Sequence, residues 1–314
     1  MFLGTEYGIY VSVNGGNKWV KFSSGLPTIS IRDLAIQKRE NDLIAATFGR
    51  GFYVLDDYSS LRFISANSLN DNLVFTPRKA LQYNQIRPGS SSQGSNTYYA
   101  KNPAFGATFT FYMSDEILTK KQNRLEVEKD LEKTNSDIPF PGWEELDEEL
   151  NEKSPLTIIE IYDSENSFVE RLTFPYKKGF NRVSWDLSKK IRTHVSSGSP
   201  RFYSPSIRVS PGKYSFNVYT FYDGQVNKIG SKFFDVERIR SGVLDNPNKD
   251  KIEEYVIEIE NTYNDFSVIN SKFNKIKETS KSILTLISRT KYYQSFVDLY
   301  NTIQNNINKI DVFI

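Results

Sequence analysis

Cysteine is missing from all 314 residues, methionine occurs twice and histidine once. Without thiols there are no disulfides, no thiolate nucleophiles and no Cys-bearing zinc sites. The compartment stays open, because a chain without Cys suits export and the cytosol alike. A Ser-His-acid triad would have to use His194, in the loop stretch Arg192 to Pro200, and no nucleophile elbow accompanies it. An excess of one charge is also absent: 40 Lys and Arg face 38 Asp and Glu. That balance gives no support for a nucleic-acid partner, which needs a clustered basic face. No apolar run approaches the roughly 20 residues that span a bilayer. Met1 to Thr5 lacks the basic stretch and apolar core of a signal peptide. Gly49-Arg50-Gly51 lacks the Lys-Ser/Thr ending and following helix of a phosphate loop. Carboxylates are plentiful, but no two can be assigned to opposite sides of a glycosidic bond. No cofactor or metal site is implied.

What is present is aromatic weight. Nineteen Tyr and 22 Phe favour pleated, half-buried surfaces and predict a chain that is mainly β with α. Thr5, Gly8, Ile9 and Tyr10 return as Thr47, Gly51, Phe52 and Tyr53, an offset of about 42 residues with one insertion. That is the period of a four-stranded propeller blade, a unit that cannot bury both faces alone. Residues 1–64 therefore read as one or two terminal blades of a partial β-propeller, belonging to a larger protein. Short strands are predicted at Gly8 to Val13, Lys18 to Phe22, Ser30 to Gln37, Leu43 to Thr47 and Phe52 to Leu55, with Asn14-Gly15-Gly16-Asn17 as a tight turn.

Residues 65–100 are rich in Ser, Asn, Pro and Gly and read as a linker. From 101 to 240, six or seven aromatic or β-branched strands separated by turns suggest an immunoglobulin-like β-sandwich. Charged runs between 115 and 154 interrupt it and predict two inserted helices. In 245–314, Ile252, Val256, Ile259, Tyr263, Phe266 and Phe273 open an apolar stripe of helical period, and Phe296, Leu299, Ile303 and Ile307 make a second. A helical hairpin bending near Arg289-Thr290-Lys291 is expected, with a seam needing a further surface to cover it.

The stretch Ser12-Val13-Asn14-Gly15-Gly16-Asn17-Lys18-Trp19 resembles the Asp box of bacterial neuraminidase (BNR) repeats. With Thr47-Phe48-Gly49-Arg50-Gly51-Phe52-Tyr53-Val54-Leu55-Asp56-Asp57, it is similar to the closing repeats of bacterial sortilin-like propeller proteins, often labelled glycosyl hydrolase-like. Gly179 to Leu187 and Ser210-Pro211-Gly212-Lys213-Tyr214 resemble the immunoglobulin-like module that follows such propellers. The resemblance implies an extracellular or cell-envelope protein in which Ser12, Asn14, Gly16 and Trp19 stabilise a turn. Asn14 stands where the box usually has Asp, and its amide can still make the turn bond.

Two functional classes follow. In the first, the chain is the non-catalytic C-terminal portion of an exported propeller protein, partnered by blades outside this sequence and binding protein, peptide or glycan. Arg50, Tyr98, Tyr99, Phe202 and Tyr203 are its candidate contact residues. In the second, it is the tail of a sialidase-like glycoside hydrolase whose active site lies mostly in upstream blades. Either way no catalytic residue is expected within the chain. Arg50, between two glycines, could meet an anion or pair with Asp56 or Asp57.

Overall fold

The computed structural model describes residues 1–65, 68–84, 102–191, 206–240, 249–291 and 293–311. The N-terminal strands are β1 (Phe2–Thr5), β2 (Gly8–Val11), β3 (Val20–Phe22), β4 (Ile31–Gln37), β5 (Asp42–Thr47) and β6 (Phe52–Leu55). They form two antiparallel sheets, β1-β2-β3 and β4-β5-β6. Alternation decides what meets between them. Register places Phe2, Gly4, Ile9, Val11, Val20 and Phe22 on one face of the first sheet. Ile9 joins Ile31 and Ala45 in a small core bordered by Phe2, Phe22, Leu34 and Tyr53. Gly4 permits the approach, since a Cβ there would lie 2.7 Å from Ile31 Cγ2.

The recurring sequence corresponds to a recurring bond. Thr5 Oγ1 donates to the Gly8 carbonyl at 3.0 Å, and Thr47 Oγ1 donates to the Gly51 carbonyl at 2.8 Å. Each threonine closes its own hairpin, β1–β2 in one case and β5–β6 in the other.

Beyond the short strands β7 (Leu73–Val74) and β8 (Ala80–Gln82) come β9 (Ala107–Met113), β10 (Leu156–Tyr162), β11 (Phe168–Pro175) and β12 (Gly179–Trp185). Then follow β13 (Ser188–Lys190) and β14 (Ser206–Arg208), which form a two-stranded pair, and the long β15 (Gly212–Tyr222) and β16 (Gln225–Arg238). A five-stranded sheet runs β11-β10-β15-β16-β8 and a three-stranded one β12-β9-β7. Their inward residues make one core. Phe109 on β9 meets Phe216 on β15 with ring centroids 4.3 Å apart, and Trp185, Met113, Ile159, Ile161 and Val218 are almost wholly buried around them. Trp185 donates through Nε1 to the Ser188 carbonyl at 2.8 Å, which satisfies its polar tip inside the apolar layer.

One expectation changes here. Residues 73–82 fall within the stretch read as linker, yet β7 pairs with β9, and β8 pairs in parallel with β16. Both strands are too short for period to reveal, and they are fixed by partners distant in sequence.

The inserted helices are α1 (Lys120–Lys133) and α2 (Trp143–Asn151). A reciprocal cap starts α1: Thr119 Oγ1 accepts from the Gln122 N–H at 3.2 Å, while Gln122 Oε1 accepts from the Thr119 N–H at 2.9 Å. Arg124 forks onto Glu149 at 2.7 and 2.9 Å and ties α1 to α2. Tyr222 at the end of β15 donates to Glu152 at 2.8 Å, anchoring the insertion to the large sheet.

The chain divides into two compact units, one holding the described residues through 188 with 209–240, the other 189–191, 206–208 and 249–311. The second unit is dominated by α3 (Lys249–Ile287) and α4 (Tyr293–Asp311). Phe273 and Ile307 are buried in this pair, and Gln304 donates to Ser280 Oγ at 3.2 Å. At 1.5 Å rise per residue α3 is about twice as long as α4. The expected bend at residues 289–291 lies between them.

Candidate functional site

The best-organised polar group in the N-terminal sheets is the turn between β2 and β3. Ser12, 2% exposed, donates through Oγ to Asn14 Oδ1 at 3.0 Å and accepts from the Gly16 N–H at 2.8 Å. Asn14 Oδ1 also accepts from the Lys18 N–H at 2.9 Å. Two side chains thus satisfy the backbone donors that a tight turn would leave open. Gly15 and Gly16 take φ of 75° and 97°, the region that a Cβ disfavours. Trp19 is half-buried, its Cζ2 lying 3.9 Å from where a Cβ on Gly16 would stand. Ser12 and Asn14 thus hold the turn with their side chains, Gly16 supplies its left-handed backbone, and Trp19 lies beside it.

Beside the turn lies a cleft of about 510 Å³ between the two N-terminal sheets and the short helical segment Ser59–Phe63. Its wall includes Val11, Val13, Leu34, Ile36, Leu43 and Leu61, with Tyr58 and Arg62 at one side. Arg62 donates to Tyr58 Oη at 2.9 Å and lies 5.0 Å from the centre of the Tyr58 ring. The ring and hydroxyl hold the guanidinium in place while leaving donors for an incoming carboxylate. Composition gave no signal for this cleft, because Leu34, Leu43 and Leu61 come from β4, β5 and the short helical segment and read singly as strand or loop residues.

Arg50 is exposed and, among the described residues, forms no ion pair. The cation at Asp56 and Asp57 is Arg182 instead, which donates to both main-chain carbonyls at 2.6 Å. Partial burial, reinforced by the nearby Asp42 carboxylate, raises the Asp56 carboxyl above its ordinary range despite Arg78 and Arg182. Arg78 also pairs with Glu40 at 3.1 Å, so this junction joins the N-terminal sheets to the large β region. Tyr98, Tyr99, Phe202, Tyr203 and His194 lie outside the described residues.

A second hollow, this one apolar and of about 690 Å³, follows the α3–α4 seam along Ile276, Ile283, Leu284, Phe296, Leu299 and Ile303. On the inserted helices an acidic hollow is lined by Glu144, Asp147, Glu148, Glu152 and Asp223 with Lys120. Lys120 spans it to Glu148 at 2.6 Å. Among the described residues no group of three or more His, Asp or Glu is placed to hold a metal ion. What the cleft beside the turn can do chemically is recognition: aliphatic side chains and polar groups share its lining, and the Arg62 side chain is oriented at one side.

No family model matches the chain, and no curated protein matches it. A solved structure similar to it is the extracellular domain of a hybrid two-component system from B. thetaiotaomicron. That likeness has a TM-score of 0.19 at 14% identity, over 76% of this chain and 30% of the other. The chain thus spans less than a third of that protein. A score so low carries no statement about fold or function. No helix among the described residues is long and apolar enough to cross a membrane.

Proposed function

We propose that this chain is the non-catalytic C-terminal portion of an exported BNR/sortilin-like propeller protein. In this reading residues 1–64 supply parts of two neighbouring blades and the β7–β16 region an immunoglobulin-like module. The repeated Thr-to-Gly bond and the Ser12–Asn14 turn support it. The activity we assign is peptide binding. The observation that carries it is the cleft beside the turn, whose walls mix aliphatic side chains with polar groups and in which Tyr58 orients the Arg62 guanidinium. A glycan site would instead line its floor with flat aromatic faces and hydroxyl partners; here Tyr58 is 7% exposed and its ring face is occupied by Arg62. An extended peptide with an aliphatic side chain beside a carboxylate suits such a recess, the apolar part giving affinity and the ion pair orientation.

Fluorescence anisotropy with labelled peptides tests this. Peptides bearing Leu or Val next to a terminal or side-chain carboxylate should bind, and Arg62→Ala should weaken them by about tenfold, the worth of one charge-assisted bond. Equal affinity for the amidated peptide, or preference for oligosaccharides, would overturn the assignment.

A further inference from the structure

The turn between β2 and β3 holds the one Asn-Gly pair in the 314 residues, Asn14-Gly15. Both residues are exposed. Asparagine is chemically labile where the next backbone nitrogen reaches its side-chain carbonyl carbon, because that attack closes a five-membered ring. Glycine in second place obstructs it least, having no Cβ. Gly15 takes φ of 75°, and no heavy atom beyond its chain neighbours lies within 4 Å of where its Cβ would stand, so the approach is open. Its N–H makes no hydrogen bond among the described residues, whereas the Gly16 N–H is committed to Ser12 Oγ at 2.8 Å. The nitrogen next to Asn14 is thus the uncommitted one.

The side chain under attack is polarised for the reaction. Asn14 Oδ1 accepts from Ser12 Oγ at 3.0 Å and from the Lys18 N–H at 2.9 Å. As the Gly15 nitrogen adds to Cγ, negative charge builds on that oxygen, and two donors already in place stabilise it. Nδ2, the group that must leave, has no hydrogen-bond partner among the described residues. The turn therefore uses Asn14 as an acceptor only. A carboxylate is an acceptor by nature, and the bonds from Ser12 and Lys18 would be stronger to an ionised oxygen than to an amide.

We propose that Asn14 is a self-modification site, which loses ammonia through attack by the Gly15 nitrogen and ends as aspartate. The Gly15 N–H gives its proton to a solvent base, the N–Cγ bond forms, and Nδ2 takes a proton from water and leaves as ammonia. Water then opens the resulting succinimide, and no oxidant or reductant takes part. Breaking the bond from Cγ to the Gly15 nitrogen leaves aspartate with the main chain as before. Breaking the bond from the Asn14 main-chain carbonyl carbon to that nitrogen leaves isoaspartate, which adds a methylene to the main chain and hangs the carboxylate directly on Cα. Only aspartate keeps the reach to Ser12 and Lys18. Because isoaspartate closes the ring again, the folded turn drains the mixture toward aspartate. This chemistry is independent of the peptide cleft.

Mass spectrometry of the full chain, kept folded in mildly alkaline buffer, tests it. The peptide containing Asn14 should gain one mass unit before any other asparagine does, with the succinimide seen on the way as a loss of ammonia. The product should be mainly aspartate, unlabelled by an isoaspartate methyltransferase, whereas chain unfolded in urea should give mainly isoaspartate at the same position. Asn14→Asp made directly supplies a second reading. At neutral pH its folding equilibrium in urea should favour the native state by about tenfold more than wild type, the worth of exchanging neutral for charge-assisted bonds. Those bonds lower the folded carboxyl's proton affinity, so the gain is held above the ordinary carboxylate range and lost as pH falls below it. Asn14 still intact after other asparagines have converted, isoaspartate dominant in the folded chain, or Asn14→Asp no more stable than wild type would each overturn the proposal.

Discussion

At the scale of single residues, satisfied and unsatisfied polar atoms make opposite predictions. Ser12 Oγ serves two bonds in a buried position. Its removal in Ser12→Ala strands the Gly16 N–H and should cost about 1–2 kcal/mol in urea unfolding. Thr157 is 1% exposed, inside the five-stranded sheet, and its Oγ1 has no hydrogen-bond partner among the described residues. Thr157→Val keeps the shape and removes the orphaned hydroxyl, so it should stabilise by about 1 kcal/mol in the same assay. Gly106 has φ of 103°, and a Cβ there would stand 1.8 Å from the Trp185 carbonyl oxygen. Gly106→Ala should therefore lose soluble, cooperatively folding protein. The Asp56 carboxyl, raised by burial, binds its proton more tightly folded than unfolded. Its contribution therefore falls as pH rises from the ordinary value of 3.8 through the raised one. Asp56→Asn keeps the carbonyl that Arg182 uses and should raise the melting temperature slightly at neutral pH, with no gain below the ordinary carboxylate range. An equal gain at every pH would show that the carboxyl is not the cause.

At the scale of elements, legibility depended on length and on where partners lie. Strands β10 and β15 alternate over seven or more residues, so their period was visible in the sequence. The helical tail was visible for the same reason, its apolar stripe running over many turns. By contrast, β7 has two residues and β8 three. Nothing local distinguishes them from loop, and their pairing with β9 and β16 comes from chain far away in sequence. The cleft was hidden for a related reason: a recess is defined by side chains converging from several elements, whereas the turn at Ser12 and Asn14 is contiguous and could be read directly. The Arg182 contact was missed because its acceptors are main-chain carbonyls, which carry no sequence signal. In the helical unit, Ile307 is 4% exposed on α4. Ile307→Ala should cost about 2–5 kcal/mol and separate the unfolding of the helical pair from that of the β region in calorimetry.

At the scale of the whole molecule, the coarse composition of the fold, mainly β with four α-helices among the described residues, followed from aromatic weight and period. The kinship of the two N-terminal sheets came from the repeat. Function was less legible, because recognition surfaces are made by what is left uncovered.

The parallel pairing of β8 with β16 has a mechanical consequence. Val236 stands against Ala80 and Arg238 against Gln82, and Gln82 donates from Nε2 to the Val209 carbonyl at 2.6 Å. Tension drawn along the backbone from the N-terminal sheets reaches the five-stranded sheet through β7 and β8. Hydrogen bonds crossing between strands that slide lengthwise must break together, whereas a hairpin peeled from its open end yields one rung at a time. The stretch that looked like a slack tether is thus placed to act as a clasp, resisting pull while the hairpins on either side remain easy to unzip.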